Sequence, residues 1–379
     1  MMRRAFLRAR LCGGLVLGAG LSAGLFLGQP GSAAAEDVTV VTSIKPVHSL
    51  VAGVMQGAGS PHLIVQGGSS PHSYSLKPSD AAALQRAKVV VWVGEGMETF
   101  LESSIATLAD DALVVELAEA PGLTRLAYRE GGPWAEHDHD HDDEHAHEEH
   151  DHEEHEHAEH DHEEHAHEEH DHEEHAHEGH DHDEAHHDEE HHAEEHHEDE
   201  HGHAHGEIDM HLWLDPDNAK AMVTAVAAAL TQADPAHAEL YRSNAAATSG
   251  RLDQLAAEIE EDLAPVKDKP FVVFHDAFQY FDARFGLNIV GSVTVDPERK
   301  PGAKRLKEIQ EKITDLGARC VFAEPQFEPR LLNVVIEGTQ AKTGLLDPLG
   351  ADLADGPELY FELMRGNAAA LKDCLGETS

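Results

Sequence analysis

The chain has 379 residues, of which 73 are Asp or Glu, 27 are Lys or Arg and 34 are His, giving a formal net charge of −46. The chain carries no basic patch, which argues against binding to the phosphates of a nucleic acid. Outside one tract rich in His and acidic residues, the sequence is long enough to form two modest hydrophobic cores.

The first 35 residues have the three parts of an export signal. Four arginines in the first ten residues form a basic region, an apolar Gly-rich run covers 11–27, and Ala33 to Ala35 offer a cleavage site. Glycines interrupt the apolar run and Gln-Pro-Gly ends it, which favours a removed peptide over a membrane anchor of about 20 apolar residues. We therefore predict a signal peptide over 1–35, cleaved near Ala35, and a periplasmic mature protein.

Short apolar runs alternate with helical patterns in the next part of the chain. Strands are predicted at 38–44, 63–66, 89–93 and 113–117, and helices at 47–56, 78–86 and 98–108. After the His- and acid-rich tract, 210–214 is predicted as a short strand or turn and 217–233 as a helix. Apolar strands separated by helices are typical of parallel α/β layers, so we predict an N-terminal α/β lobe over 36–235.

A tract at 136–207 interrupts this lobe. From His137 to His205 it holds 28 of the 34 His and 32 of the 73 Asp and Glu, partly in ten-residue repeats. It has too little apolar surface to offset the entropy of ordering, whereas imidazole is the commonest ligand for divalent transition metals. We therefore predict an accessory zinc-binding segment that acts as a zinc collector or as a sensor of zinc sufficiency; a solvated acidic linker and a pH-responsive tether are the alternatives. The predicted accessory ligands are His150, His152, His155, His157, His160, His162, His201, His203 and His205.

A long helix and a second α/β set complete the chain. Residues 236–264 contain no proline, which predicts a rigid helix between the lobes. Strands are predicted at 271–274, 289–295, 320–323 and 343–346, and helices at 304–316, 328–339 and 357–375, within a C-terminal lobe over 265–379. The predicted fold class is α/β, with two parallel-sheet lobes and a ligand beyond the C-terminal ends of the strands.

Removal of the signal peptide leaves two cysteines, Cys320 and Cys374. An even pair in an exported protein favours a disulfide over two buried free thiols. This disulfide would join a core strand to the C-terminal helix.

Four candidate metal ligands lie in loops or at strand ends. His275 and Asp347 each follow a predicted strand, His211 opens the apolar stretch after the tract, and His72 lies in a Gly/Ser-rich turn. Three imidazoles with a carboxylate or a water match a tetrahedral zinc site, but spacing alone does not bring the residues together. The other three histidines outside the tract, His48, His62 and His237, are not assigned to the site.

Four stretches resemble signature stretches of the metal-binding receptors of bacterial ABC importers, and most closely the zinc-uptake receptors. They are HSYSLKPSD at 72–80, DMHLWLDP at 209–216, FHDAF at 274–278 and LDPLG at 346–350. The stretch VFAEPQF at 321–327 and the cysteine pair extend the resemblance, which covers about 38–375. It implies a metal held in a cleft between the lobes, with His72 and His211 from the first lobe and His275 from the second.

The resemblance implies a receptor and not an enzyme, which passes Zn²⁺ to a membrane permease with a cytoplasmic ATPase. Manganese receptors of the family tend to have a carboxylate where this chain has His275, and imidazoles favour Zn²⁺ over Mn²⁺. Pro71 stands where some zinc receptors have Glu, which leaves Asp347 or water as the fourth ligand. A manganese or iron receptor and a zinc-buffering protein are the alternatives; a zinc hydrolase is disfavoured because the chain has no H-E-x-x-H helix. We expect a monomer.

Overall fold

The fold is described by a computed structural model for residues 38–129, Trp134, 208–294, 302–327 and 330–376. The predicted signal peptide at 1–35 and the His- and acid-rich tract at 136–207 lie outside the described residues. Among the helices that are described, none combines the length and the apolar composition needed to cross a bilayer.

The N-terminal lobe is built on a four-stranded parallel sheet in the order β2-β1-β3-β4. Its strands are β1 Val40–Thr42, β2 His62–Leu63, β3 Val89–Trp92 and β4 Leu113–Glu116. Its helices are α1 Lys45–Val54, α2 Pro78–Leu84, α3 Glu102–Leu108 and α4 Pro216–Ala233. Helix α4 begins with Pro216, which has no N–H group that would remain unpaired in the first turn. The Asp215 carboxylate caps the helix by accepting a hydrogen bond from the amide of Asp217.

The C-terminal lobe repeats this architecture after helix α5, Ala238–Leu263. Its parallel sheet has the order β6-β5-β7-β8, with β5 Phe271–His275, β6 Ile289–Thr294, β7 Cys320–Ala323 and β8 Lys342–Leu345. Its helices are α6 Gln279–Phe285, α7 Ala303–Asp315, α8 Arg330–Ile336 and α9 Leu359–Gly376. The two-lobed parallel α/β fold is confirmed, although the predictions omitted α6 and the stretch at 210–214 forms a 3₁₀ turn, Leu212–Leu214.

Helix α5 is packed along both lobes. It contacts α4 and α1 of the N-terminal lobe and α9 of the C-terminal lobe. Leu252, Leu255 and Ile259 are buried at the spacing of one helix face. Buried residues of both lobes therefore form one continuous apolar cluster, and the 26-residue helix is part of it rather than a free connector.

A disulfide between Cys320 of β7 and Cys374 of α9 confirms the predicted pair. Their Cα atoms are 6.3 Å apart, and Cys320 is fully buried. The bond fastens the central part of the second sheet to the helix that packs on α5.

The C-terminal ends of the two sheets face a common space, here called the cleft. His275 ends β5, the loop after β2 carries His72, and His211 precedes the 3₁₀ turn Leu212–Leu214. The lobes are joined beside it, because the Trp213 indole donates a hydrogen bond of 2.9 Å to the Pro348 carbonyl.

Candidate metal centre

Three histidines from three different segments converge in the cleft. One ring nitrogen each from His72, His211 and His275 lies within 4.8 Å of the other two. The ring centroids are 5.8 Å apart for His72 and His211, 6.1 Å for His72 and His275, and 5.2 Å for His211 and His275. A single ion placed between the rings would contact all three nitrogens.

Two buried carboxylates orient two of the rings. The Nδ1 atom of His275 lies 2.6 Å from Glu324 Oε1, and the Nδ1 atom of His211 lies 2.7 Å from Asp209 Oδ1. A carboxylate accepts, so each Nδ1 carries the hydrogen and each Nε2 keeps a lone pair. The two Nε2 atoms lie 3.3 Å apart, which directs both lone pairs to one place.

Neither of these carboxylates is among the residues predicted for the site. Strands β5 and β7 are neighbours, with Val273 opposite Phe322, so position 324 lies beside position 275. Asp209 precedes His211 by two residues and also accepts a hydrogen bond from its backbone amide. The role of Glu324 can be inferred only when the strand order is known, whereas the close spacing of Asp209 and His211 is visible in the sequence.

Burial and charge act differently on the two oriented rings. Burial, together with the charge of the nearby His275, lowers the pKa of His211 to about 3. Burial alone would also lower the pKa of His275, but the charge of Glu324 and its hydrogen bond outweigh burial and raise it above the usual value. His211 is therefore neutral across the ordinary pH range, and His275 holds a proton more readily.

Asp347 is not brought into the histidine cluster. Its Oδ1 accepts hydrogen bonds from the amides of Leu349 and Gly350, both at 2.9 Å, and its Oδ2 accepts one from Ala351 at 2.6 Å. The side-chain amide of Gln326 donates a further bond of 3.0 Å to Oδ1. The carboxylate thus holds the turn that follows β8.

The space between the rings is small and is lined by both polar and apolar side chains. Its volume is about 10 Å³, close to that of one water-sized sphere. Besides the three histidines and Glu324, the lining consists of Ser70, Pro71, Met97, Trp213, Gln326, Phe327, Pro348 and Leu349. A cavity of this size suits one bare ion.

The two segments that flank the His- and acid-rich tract meet beside this site; residues 124–129 and 208–209 are here called the stem. Ala127 pairs with Ile208 in an antiparallel bridge, and the amide of Asp209 donates to the Leu126 carbonyl at 2.9 Å. The same segment that enters the tract thus borders the carboxylate that orients His211.

The stem also binds the C-terminal lobe. The Arg129 guanidinium donates from Nε to Asp276 at 2.8 Å and from Nη1 to Asp282 at 2.8 Å, and its side chain is 17% exposed. The Leu126 amide donates to the Tyr280 hydroxyl at 3.0 Å. A largely buried ion-pair cluster therefore joins the lobes next to His275.

Three further histidines of the described residues lie outside the cluster. The nine accessory histidines of the tract lie outside the described residues. His62 Nε2 lies 3.3 Å from Asp80 Oδ1, and His237 Nδ1 lies 2.6 Å from Asp234 Oδ2. His48 is buried in α1. Within the described parts of the chain, no second group of three His, Cys, Asp or Glu side chains is arranged to hold a metal.

Sequence relatives extend along almost the whole chain. A family model described as zinc-uptake complex component A, periplasmic (ZnuA), matches residues 40–374. The high-affinity zinc uptake system protein ZnuA of Brucella suis biovar 1 is 52% identical over 346 residues, covering 91% of this chain and 94% of that protein. The protein of the same name from Yersinia pestis is 32% identical over 355 residues, covering 94% and 96%.

Solved structures share the fold at low sequence identity. A crystal structure of ZnuA has a TM-score of 0.63 at 19% identity and covers 90% of this chain and 100% of its own. The Mn²⁺ complex of FpvC from Pseudomonas aeruginosa has a TM-score of 0.64 at 18% identity, covering 91% and 100%. At these identities the likeness describes the two-lobed fold and does not identify the metal.

Proposed function

This chain belongs to the zinc-uptake complex component A family of periplasmic proteins, and we propose that it binds one Zn²⁺ between its lobes. It delivers the ion to a membrane permease driven by a cytoplasmic ATPase, and it acts as a monomeric receptor and not as an enzyme. The convergence of His72, His211 and His275 within 4.8 Å carries this proposal.

The donor set favours zinc over the metals of the alternative receptors. Three imidazole nitrogens suit Zn²⁺, whereas Mn²⁺ prefers oxygen ligands. The carboxylates nearest the rings, Asp209 and Glu324, contact Nδ1 atoms and serve as hydrogen-bond acceptors. A manganese or iron receptor would instead be expected to direct such oxygens at the metal.

The test is a zinc titration of the mature protein lacking residues 137–205, in competition with a chelator. Because Ala127 already pairs with Ile208, the deletion joins segments that lie side by side. We expect one tightly held zinc per chain and a preference for Zn²⁺ over Mn²⁺. A protein that merely buffers zinc through its tract would lose tight binding on this deletion, and a manganese receptor would reverse the preference.

Substitutions in the same protein locate the site. We expect His72→Ala, His211→Ala and His275→Ala each to weaken zinc binding by about 100-fold or more, because each removes one of few ligands. His237→Ala is the matched control, since His237 pairs with Asp234 outside the cleft. Unchanged affinity in the His211 variant would refute the proposed site.

Export and the tract complete the proposal. Residues 1–35 act as a signal peptide cleaved near Ala35, and the tract acts as a lower-affinity zinc collector. Mass spectrometry of the N-terminus of the periplasmic protein tests the first point. A mature chain that retains the first 35 residues would contradict it.

A further inference from the structure

One residue in the lining of the cavity has a buried side-chain oxygen without a hydrogen-bond partner. Gln326 lines the cavity together with His72, His211 and His275. Its Oε1 atom is buried and has no hydrogen-bond partner among the residues that the structure describes. A buried amide oxygen without a donor is uncommon in folded proteins, so this atom calls for a ligand.

The chemistry of its neighbour fixes which way the amide points. Gln326 Nε2 donates a hydrogen bond of 3.0 Å to Asp347 Oδ1. The other neighbours of that carboxylate are backbone amides, which only donate, so Asp347 is engaged as an acceptor. Turning the Gln326 amide over would place two acceptor oxygens against each other, so the orientation with Oε1 away from Asp347 is the stable one.

The position of Gln326 in the fold supports a role toward the metal. It follows β7 by three residues, and the adjacent Phe327 packs edge-on against the His275 ring with centroids 5.9 Å apart. Glu324, two residues earlier, orients that same ring. The short turn after β7 thus carries Glu324, which orients a ligand through Oε1 and has its Oε2 buried without a partner, and Gln326, whose Oε1 is also without one.

We propose that Gln326 Oε1 supplies the fourth donor to the metal ion, and that Asp347 positions this amide from behind. The inference rests on the proposed zinc site and assigns the ligand that three imidazoles leave open. It gives Asp347 an indirect role, in agreement with the backbone amides that already surround its carboxylate.

A neutral fourth donor has a consequence for metal choice. Three imidazoles and one amide are all neutral, so none of these ligands offsets the charge of the ion. The balancing charge then comes from the carboxylates of Asp209 and Glu324 behind the rings. A site with three nitrogens and a single oxygen remains suited to Zn²⁺ and poor for Mn²⁺. Gln326 is therefore a residue that sets specificity.

A crystal structure of the full mature chain with zinc tests the inference directly. We expect Gln326 Oε1 at about 2.0–2.2 Å from the ion, as for other zinc–oxygen bonds. Zinc held by the three histidines with water or Asp347 in fourth place would overturn the role of Gln326 and leave the proposed function intact. Zinc bound elsewhere would overturn both.

Variants of the full chain test the same point in solution, with a chelator strong enough to strip the tract. We expect Gln326→Ala to weaken zinc binding by about 10- to 100-fold and to change the visible absorption of the Co²⁺-loaded protein. We expect Gln326→Glu to raise the Mn²⁺ to Zn²⁺ affinity ratio by about 10-fold, because it places a charged oxygen at the metal. Gln310→Ala is the control, since Gln310 is half-buried on α7 and donates to the Val334 carbonyl of α8, outside the lining of the cavity.

Purely structural effects are separable from ligation. Loss of a structural side chain would lower the thermal midpoint of the metal-free protein without changing the Mn²⁺ to Zn²⁺ ratio. Unchanged zinc affinity and an unchanged Co²⁺ spectrum in Gln326→Ala would overturn the inference, and so would an unchanged metal ratio in Gln326→Glu.

Discussion

Glu324 determines how His275 meets a metal, although it does not belong to the three-histidine cluster. Its Oε1 atom accepts hydrogen bonds from both the backbone amide and the Nδ1 atom of His275. These two contacts fix the ring plane and its tautomer, so the residue acts on the metal through the imidazole.

We predict that Glu324→Gln weakens zinc binding by about 10- to 100-fold, because loss of the charge makes the His275 imidazole a poorer donor. The measurement is chelator competition at neutral pH. Glu358→Gln provides the control, since Glu358 is an exposed partner of Arg251. Equal zinc affinity in the wild type and the Glu324 variant would rule out this role.

The same substitution is predicted to shift the pH dependence of binding. Zinc needs neutral imidazole, so affinity falls as pH drops through the pKa of His275, which Glu324 raises above the usual value. Without the carboxylate that pKa falls, and the loss of affinity moves to lower pH. Zinc titrations between about pH 8 and about pH 5 would show the shift, and a profile that moves to higher pH would contradict it.

At the level of elements, the strand ends are the part of the site that the sequence predicts well. Apolar runs identify β5 and β8, so His275 and Asp347 are placed at the edge where ligands bind. The sequence does not predict in which direction a side chain points from the end of a strand. Asp347 turns toward the backbone amides of its own loop, and no residue pattern distinguishes that choice from a metal ligand.

Other elements depend on contacts distant in the chain. The role of Glu324 follows from β5 and β7 being neighbours, which the local sequence does not specify. Helix α6 is only seven residues long, so its three buried aromatic residues, Tyr280, Phe281 and Phe285, do not repeat often enough to reveal a helical period in the sequence. Its identity as a helix comes from packing in the second lobe.

The disulfide between β7 and α9 is predicted to stabilise the fold rather than the metal site. It closes a loop with a sequence separation of 54 residues, so replacing both cysteines with serine should lower the free energy of unfolding by about 3–4 kcal/mol. Urea unfolding of the metal-free protein measures this loss. Zinc affinity should stay close to that of the wild type, and a large loss would mean that the disulfide also holds Glu324 in place.

On the scale of the whole molecule, the stem ties together the two lobes that enclose the site, and we expect its contacts to control how readily the lobes separate. The Arg129 contacts to Asp276 and Asp282 do not involve any of the three ligand rings. They therefore favour the closed arrangement to a similar extent with and without the ion. Weakening these contacts should therefore change the rates of zinc association and release more than it changes the affinity for zinc.

We predict that Arg129→Gln speeds both zinc association and zinc release by about 10- to 100-fold while the affinity changes little. Hydrogen bonds to charged groups contribute about 1.5–3 kcal/mol, which corresponds to this range in an opening equilibrium. Stopped-flow transfer of zinc to a chelator measures both rates.

A milder variant and a control accompany this measurement. Tyr280→Phe removes only the acceptor of the Leu126 amide and should give a smaller change in the same direction. Arg365→Gln breaks an exposed pair with Glu258 on α5 and should change neither rate. Faster release without faster association in Arg129→Gln would show that Arg129 acts on the ligands and not on lobe separation.

The tract gives a prediction that concerns uptake. Deleting His137 to His205 should leave the cleft affinity unchanged and reduce zinc uptake by cells under zinc limitation, because multivalent capture raises the local concentration of the ion. Dense carboxylates favour protonated imidazole, so the tract should lose zinc at a higher pH than the cleft does. Uptake equal to that of the wild type would end the collector hypothesis.

The bridge between Ala127 and Ile208 has a further consequence for how such a tract changes in length. The entropy of closing a loop rises only with the logarithm of its length, at about 0.6 kcal/mol for each doubling. Adding or losing one ten-residue repeat therefore changes the stability of the lobes very little, while it changes the number of available imidazoles by four. For a tract that collects zinc as proposed, we expect the number of bound ions to change in discrete steps while the architecture of the receptor stays constant.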